Sequence, residues 1–452
     1  LRSVYDRFRP RFHPAFTGVR AFCRPMDTTM DPLRGRMPTA AAPRVAEFYA
    51  KLTFGFGVLA VLVVGLYFAS AQYLPLGRPP IDFSGFALGR DFFNNWMGGR
   101  SAFIGGPAPW FDFAPYNAAL KEIAGRADLP PYHWSYPPHL ILFIWPLGLL
   151  PYVPAYIVWC AVGLALYLWA VRAGGIERKE DWAFVALAPA VAVNIVCGQN
   201  GFLTAALLIG GLANLDRRPI LAGVLVGILT IKPQFGLLLP VLFLVTCRWR
   251  VIASAGVTTL ALAAAAALWF GTDVWLDFFH KVMPQQQQFI LDAGRFGWAA
   301  VSSVFVDARR IGLPVDAAWA VQAAASLAAL AAVVWTFWRR RDPQLSLALF
   351  LTAAFLVTPY MLNYDMVVLA YAAALLRLQP GNRLADHVLI VAIWILPLLM
   401  LPLGLAGMPV ASIVLAAFAG RLVWRLAVRQ NATAVNAGGG YGSAVPSGGL
   451  TV

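Results

Sequence analysis

From Leu52 to Leu74 the chain runs for 23 residues without a charged side chain. As a helix, at 1.5 Å per residue, it reaches about 35 Å, enough to cross about 30 Å of hydrocarbon. In a bilayer the backbone polar groups of such a segment must pair among themselves, so it is expected to fold as a helix and not as a barrel strand. Counting this one, about 13 apolar runs follow along the chain. Hydrophobic residues make up 60% and charged residues 12% of the sequence, outside the usual range for a soluble domain. A secreted or peripheral enzyme is excluded. The expected fold class is an all-α polytopic membrane protein, a bundle of about 12–13 membrane helices.

With 35 basic and 21 acidic residues the net charge is +14. Most of the surplus lies in short segments between apolar runs and in the first 51 residues. Arg217 and Arg218, Arg248 and Arg250, Arg339 to Arg341, and Arg377 with Arg383 alternate with poorly charged turns, which the positive-inside rule orients toward the cytoplasm. The charge thus points to topology and contact with membrane lipids, and no nucleic-acid partner is expected. Residues 1–51 are basic, scattered with proline and without periodicity, and are expected to form a disordered cytoplasmic arm. Because the chain opens on Leu1, Met26, Met30 and Met37 are alternative starts. Residues 52–428 are expected to form the transmembrane domain, and 429–452 a disordered Gly-rich tail.

Two outside loops are expected, 75–135 and 272–314. In Asp91–Phe103, the residues Phe92, Phe93, Trp96, Met97 and Phe103 gather near one face. In Asp273–Met283, Trp275, Phe278, Phe279 and Val282 follow helical spacing. Both are expected to lie flat in the outer leaflet as interfacial helices and to frame a cavity open to lipid and water. Residues 137–150, a run of 14 residues broken by Pro146 and Pro151, are too short to cross and are expected to form a re-entrant or partly inserted helix.

No Walker A, strand-bounded GxGxxG, HExxH or DxD motif is present, so nucleotide chemistry is not expected. The four cysteines show no CxxC spacing and the five histidines no i, i+4 pair. No metal and no cofactor are expected. Gly223 and Gly227 lie inside an apolar run, where they would let helices approach closely.

Polar residues instead collect in outside turns: Asp91, the Tyr132–Pro138 stretch with His133 and Tyr136, Gln199 with Asn200, Lys232–Pro233, and Tyr360 with Asn363, Tyr364 and Asp365. Lys232 splits a 29-residue apolar stretch. A cation at partial membrane depth calls for an anion, and a phosphate is a suitable one; snorkelling from a helix end is the alternative. Asp91 opens an interfacial helix, where a partly desolvated carboxylate could take the proton of an attacking hydroxyl. A helix cap is its alternative, and Asp82, Asp112 and Asp365 compete for the same role. His133 and His280 lie in the outside loops.

The order Asp91-Phe92-Phe93, Gly105-Gly106, Tyr136-Pro137-Pro138, Gly198-Gln199-Asn200, Ala222-Gly223 with Lys232-Pro233, and Pro359-Tyr360 with Asn363-Tyr364-Asp365 resembles the DUF2029 proteins. These are glycosyltransferase family 87, polyprenyl-phosphate-mannose-dependent α-mannosyltransferases of the GT-C class, and the resemblance covers roughly residues 50 to 425. It implies a GT-C-like bundle in a bacterial plasma membrane, with its active site facing the periplasm. It also implies inverting transfer of a hexose, mannose, from a polyprenyl-phospho-sugar donor to a lipid or glycan acceptor. Asp91 would be the catalytic base, and Lys232, with Arg295 or His280, would meet the donor phosphate. Tyr136, Gln199, Asn200, Tyr360, Asn363, Tyr364, Asp365 and His133 would line the substrate site.

A lipid or solute transporter or flippase is the rival class, because broken helices and buried polar groups also describe carriers. Against it stand the lack of an obvious repeat between halves and the gathering of polar groups on one side. A non-catalytic scaffold would leave Asp91 and Lys232 without a purpose.

Overall fold

A computed structural model describes residues 43–72, 78–292, 299–339 and 341–438. Among them the secondary structure is helical, with isolated bridges and no strand. The first helix, α1 (Pro43–Ala69), begins before the apolar run, within the stretch expected to be disordered, and Glu47 and Lys51 pair on its first turns at 2.8 Å. Only Tyr49, Thr53, Gly57 and Tyr67 of α1 are buried, leaving most of its apolar surface for lipid. The last helix, Val410–Gly438, continues past the boundary expected for the tail. Residues 1–42 and 439–452, which hold the rest of the expected arm and tail, lie outside the described residues.

Two helices occupy the first outside loop, α2 (Phe92–Ser101) and α3 (Phe113–Ala124). The expected interfacial helix is α2, yet it does not float. Every residue in it except Arg100 is buried, Asn94 and Asn95 included. The loop folds over it, and its aromatic face packs on Tyr152 and Tyr156, with Phe92 at 5.3 and 5.2 Å from those rings. Beneath it lies Pro138–Leu149, a short helical segment of mixed pitch. A side chain on Gly99 would come within 2.6 Å of Ile144 O, and one on Gly148 within 2.5 Å of Gly99 C. Paired glycines thus let the two backbones touch.

Next come α4 (Tyr152–Ala173), the bent pair α5 (Lys179–Ala186) and α6 (Pro189–Cys197), α7 (Gly201–Ala213) and α8 (Pro219–Ile228). The run split by Lys232 becomes two half-helices, Pro219–Ile231 and Pro233–Val245, the second containing α9 (Leu239–Val245). Gly223 and Gly227 press α8 against α10 (Trp249–Phe270), where added side chains would meet Val251 O at 2.6 Å and Ala255 O at 2.9 Å. The second expected interfacial helix forms as Asp273–Asp277 followed by a π turn, Phe278–Val282. It buries Val274, Phe278 and Val282 and leaves Phe279 exposed.

The chain continues through α11 (Met283–Asp292), α12 (Val304–Arg310), α13 (Val315–Trp338), α14 (Pro343–Val357), α15 (Val367–Arg377), α16 (Leu384–Leu405) and α17 (Val410–Gly438). In α14 Leu345 and every residue from Ala348 to Leu356 is buried, and in α15 every residue from Val367 to Leu376. Helices apolar on all sides belong at the centre of a bundle. Among the described residues six helices are long and apolar enough to cross a membrane, or seven counting the bent pair as one. The chain is thus an all-α polytopic membrane protein. Other apolar runs expected among 12–13 membrane helices form shorter pieces, four of which open on a proline, Pro138, Pro219, Pro233 and Pro343, and a fifth, Gly201–Ala213, on the turn after Gly198.

Candidate active site

The turn between α6 and α7 organises the site. Gly198 ends α6 with φ +57°, a left-handed backbone that glycine adopts freely. A side chain there would lie 2.4 Å from Phe92 Cβ and 2.6 Å from Gly89 O. Only glycine lets this turn dock against the start of α2. Its carbonyl receives Trp159 Nε1 at 3.0 Å and Asn95 Nδ2 at 3.4 Å, which fixes the turn from α4 and α2.

The two residues after this glycine reach in different directions. Gln199 Nε2 donates to Asp91 Oδ2 at 2.9 Å, and Gln199 Oε1 accepts from the Tyr136 hydroxyl at 2.8 Å. Asn200 Oδ1 accepts from Lys232 Nζ at 3.2 Å, and the same ammonium donates to Asp365 Oδ1 at 2.5 Å. Gln199, Asn200, Lys232 and Asp365 are all buried. The carboxylate and the ammonium singled out in the sequence are thus held by adjacent residues of one turn. Lys232 does not snorkel. Its anion here is Asp365, in the break between α14 and α15, and its charge also lies 5.1 Å from the Tyr364 ring centroid.

Asp91 sits at the N-cap position of α2 with helical φ and ψ and makes no side-chain cap bond, so the capping role is not the one it fills. Burial raises its carboxyl above the ordinary value of 3.8. The hydrogen bond from Gln199 and the charges of Arg90 and Lys232 oppose that rise, and Asp365 adds to it. The competing carboxylates have other work. Asp82 Oδ1 accepts from Ser84 N at 2.8 Å, Ser84 Oγ at 2.6 Å and Phe86 N at 3.2 Å. Asp112 pairs with Lys281 at 3.1 Å.

Other expected site residues spread around this cluster. Asn363 Nδ2 donates to Pro397 O at 3.3 Å, tying the break to the proline in α16. Tyr360 is half-buried, its ring 6.0 Å from Phe289 of α11. His133 lies against an aromatic wall, 4.7 Å from the Phe113 ring and 6.2 Å from that of Phe289. His280 lies exposed on the π turn and does not join the cluster. Arg295 lies outside the described residues. The glutamines of α11 hold that helix to the first loop, through Gln285 Nε2 to Phe111 O at 2.8 Å and Gln286 Nε2 to Ser135 Oγ at 2.6 Å.

Sequence reasoning missed Trp159 and Asn95, which hold the central turn, because indole and amide groups in apolar segments carry no spacing signal. It also missed His139, buried at 5.7 Å from the Trp275 ring and 3.2 Å from Thr230 Oγ1. Thr230 and Pro233 also line an apolar cavity of about 450 Å³ walled by Leu229, Phe243 and Ile252. Its only polar side chains are those of Thr230 and Thr259. The break around Lys232 therefore borders a polar cluster and an apolar cavity together. Among the described residues no group of three His, Cys, Asp or Glu could hold a metal ion.

A many-helix membrane protein with a half-buried carboxylate and a buried ammonium held by one polar turn has the means to move a proton and meet an anion beside lipid. The profile of glycosyltransferase family 87 matches residues 134–359, half of the chain. The chain belongs to that family and is a membrane glycosyltransferase. No curated protein and no solved structure matches it. Tyr136, Gln199, Asn200 and Lys232 lie inside the matched residues, whereas Asp91 and Asp365 lie outside them.

Proposed function

We propose that the protein transfers a hexose, mannose, from a polyprenyl-phosphate-linked donor to a hydroxyl of a lipid or glycan acceptor at the outer face of a bacterial plasma membrane, with inversion. Asp91 takes the proton of the acceptor hydroxyl. The acceptor oxygen bonds to the anomeric carbon as the bond from that carbon to the phosphate oxygen breaks, and polyprenyl phosphate leaves with the electron pair. Asp91 is suited to the task because burial raises its proton affinity while Gln199 fixes its orientation.

Lys232 is placed to face the departing phosphate. An ammonium has three N–H donors. Asp365 and Asn200 take two of them among the described residues, leaving one for a phosphate oxygen. Fixed charge in a water-poor site stabilises a leaving anion more strongly than the same charge in water. The adjacent apolar cavity supports a lipid-linked donor, because it offers a hydrocarbon chain a surface and a nucleotide almost no polar partner.

The observation that carries the proposal is the junction at Gln199 and Asn200, which tethers base and ammonium to one turn. The test is to incubate the purified full chain with polyprenyl-phospho-mannose and a membrane lipid extract, and to identify glycosylated product by mass spectrometry. Product that requires Asp91 supports the proposal. Transfer from a nucleotide sugar alone, or movement of labelled lipid across vesicles without a new glycosidic bond, overturns it.

A further inference from the structure

The segment before Asp91 is tethered at successive residues by tyrosines from three parts of the chain. Tyr132 OH accepts from Ala87 N at 3.1 Å, Tyr152 OH donates to Leu88 O at 2.6 Å, and Tyr67 OH accepts from Gly89 N at 2.8 Å. Held this way, the backbone turns left-handed at two residues in succession, Gly89 at φ +80° and Arg90 at φ +44°. At Gly89 that conformation is free of strain. At Arg90 it is not, because a residue with a Cβ occupies this region at a cost. A glycine would satisfy the backbone at position 90, so the arginine side chain must supply something a glycine lacks.

That side chain does not wander in solvent. Arg90 Nε lies 3.4 Å from Asp82 Oδ2, and Arg90 Nη2 donates to Ser84 Oγ at 3.2 Å. The Asp82 side chain is fully buried, and that of Arg90 is 31% exposed. The guanidinium also lies 5.6 Å from the Phe86 ring centroid. Asp82 thus serves as an anchor for the residue that precedes Asp91.

We propose that Arg90, clamped by Asp82, is the positioning residue for Asp91: it fixes the left-handed turn that aims the carboxylate at Gln199 and holds a positive charge beside it. This inference rests on Asp91 being the base. Arg90 and Lys232 contribute positive charge at the carboxylate and Asp365 negative charge. The Cys197 thiol and the hydroxyls of Tyr136, Tyr360, Tyr364, Tyr116 and Tyr132 also lie within electrostatic reach of it. Free thiols and phenols are uncharged at neutral pH. Of Arg90 and Lys232, the cations at Asp91, Arg90 is the one on its own turn.

Arg90→Gly accepts φ +44° without strain but strands the buried Asp82 carboxylate, so it is read beside Arg90→Gly with Asp82→Asn, which removes both charges and should melt close to the parent while keeping the kinetic change. With the full chain and polyprenyl-phospho-mannose, the expected results are a lower kcat with KM little changed and an acid limb moved to higher pH by about one unit, a tenfold loss on that limb. Asp82→Asn frees the guanidinium from its counter-charge and should move the limb the other way. Arg90→Lys, which keeps the charge, should recover part of the shift.

A wild-type pH profile and kcat in Arg90→Gly, alongside inactive Asp91→Asn, overturns this inference alone. Full activity in Asp91→Asn overturns the reading of the base and this inference with it.

Discussion

Two clusters of buried charge lie far apart in the sequence and differ in kind. Around Asp386 the partners crowd one carboxylate. Arg421 donates from Nε at 2.9 Å and from Nη2 at 2.8 Å, Arg425 Nη1 adds a bond at 3.2 Å, and Arg383 N another at 2.7 Å. Arg425 also caps Gly381 O and Pro380 O, each at 2.9 Å. The cluster joins α16 to α17 and closes on itself.

Around Asp91, by contrast, the structure leaves capacity unused. Among the described residues the Asp91 carboxylate receives a single hydrogen bond, from Gln199. Asn200 Nδ2 and Asn95 Oδ1 are buried without a partner. Native interiors rarely leave such groups unpaired. The Asp386 carboxylate is saturated by its partners, whereas the carboxylate proposed as the base keeps an oxygen, and its neighbours keep polar atoms, without a partner among the described residues.

The comparison breaks most sharply on Asp91→Asn. Transfer from polyprenyl-phospho-mannose should fall by about 10²- to 10⁴-fold, the usual weight of a general base, while the melting temperature holds, since a neutral amide suits that half-buried position. A variant that unfolds instead would make Asp91 a structural residue like Asp386. Asp386→Ala should do the reverse. Leaving the buried Arg425 without its anion costs about 3–5 kcal/mol, read by denaturant titration in detergent, with activity per folded molecule retained.

The Lys232–Asp365 pair sharpens the contrast because it belongs to the site and is also buried. Lys232→Ala alone should destabilise by about 3–5 kcal/mol through the stranded carboxylate. Lys232→Met with Asp365→Leu should regain most of that stability and none of the transfer or donor affinity. Recovery of activity in the double variant would move the phosphate contact elsewhere.

The smallest effect is a matter of pH. A base works only when ionised, so activity is present above the folded pKa of Asp91 and is lost as pH falls through it. Burial raises that pKa, which puts the acid limb of kcat/KM above the ordinary carboxylate value of 3.8. A limb at or below that value would mean a solvated carboxylate.

The break at Lys232–Pro233 could be read from the chain because a lysine and a proline interrupt a long apolar run, a local signal. Its partner could not. Asp365 lies 133 residues away, and only the packing of α14 and α15 brings it to the ammonium. Similarly, the spacing of Phe92, Phe93, Trp96 and Met97 correctly marks a helix but not its setting. Amphipathic spacing looks the same whether the partner is lipid or a folded loop, and here Tyr152 and Tyr156 stand where lipid was expected. Gln285 and Gln286 likewise hold α11 to the first loop, a contact between distant segments that no local pattern announces.

Hydropathy alone determined that this chain lives in a membrane as helices, since burying unpaired backbone in hydrocarbon admits little else. Side-chain type alone nominated Asp91 and Lys232, since charge is costly beside lipid and is kept for a reason. Only the tertiary structure decided which polar residues meet, which carboxylate is an anchor and which is free, and how many apolar runs stop short. Those outcomes depend on contacts between distant segments, and one left-handed glycine at the centre makes room for them.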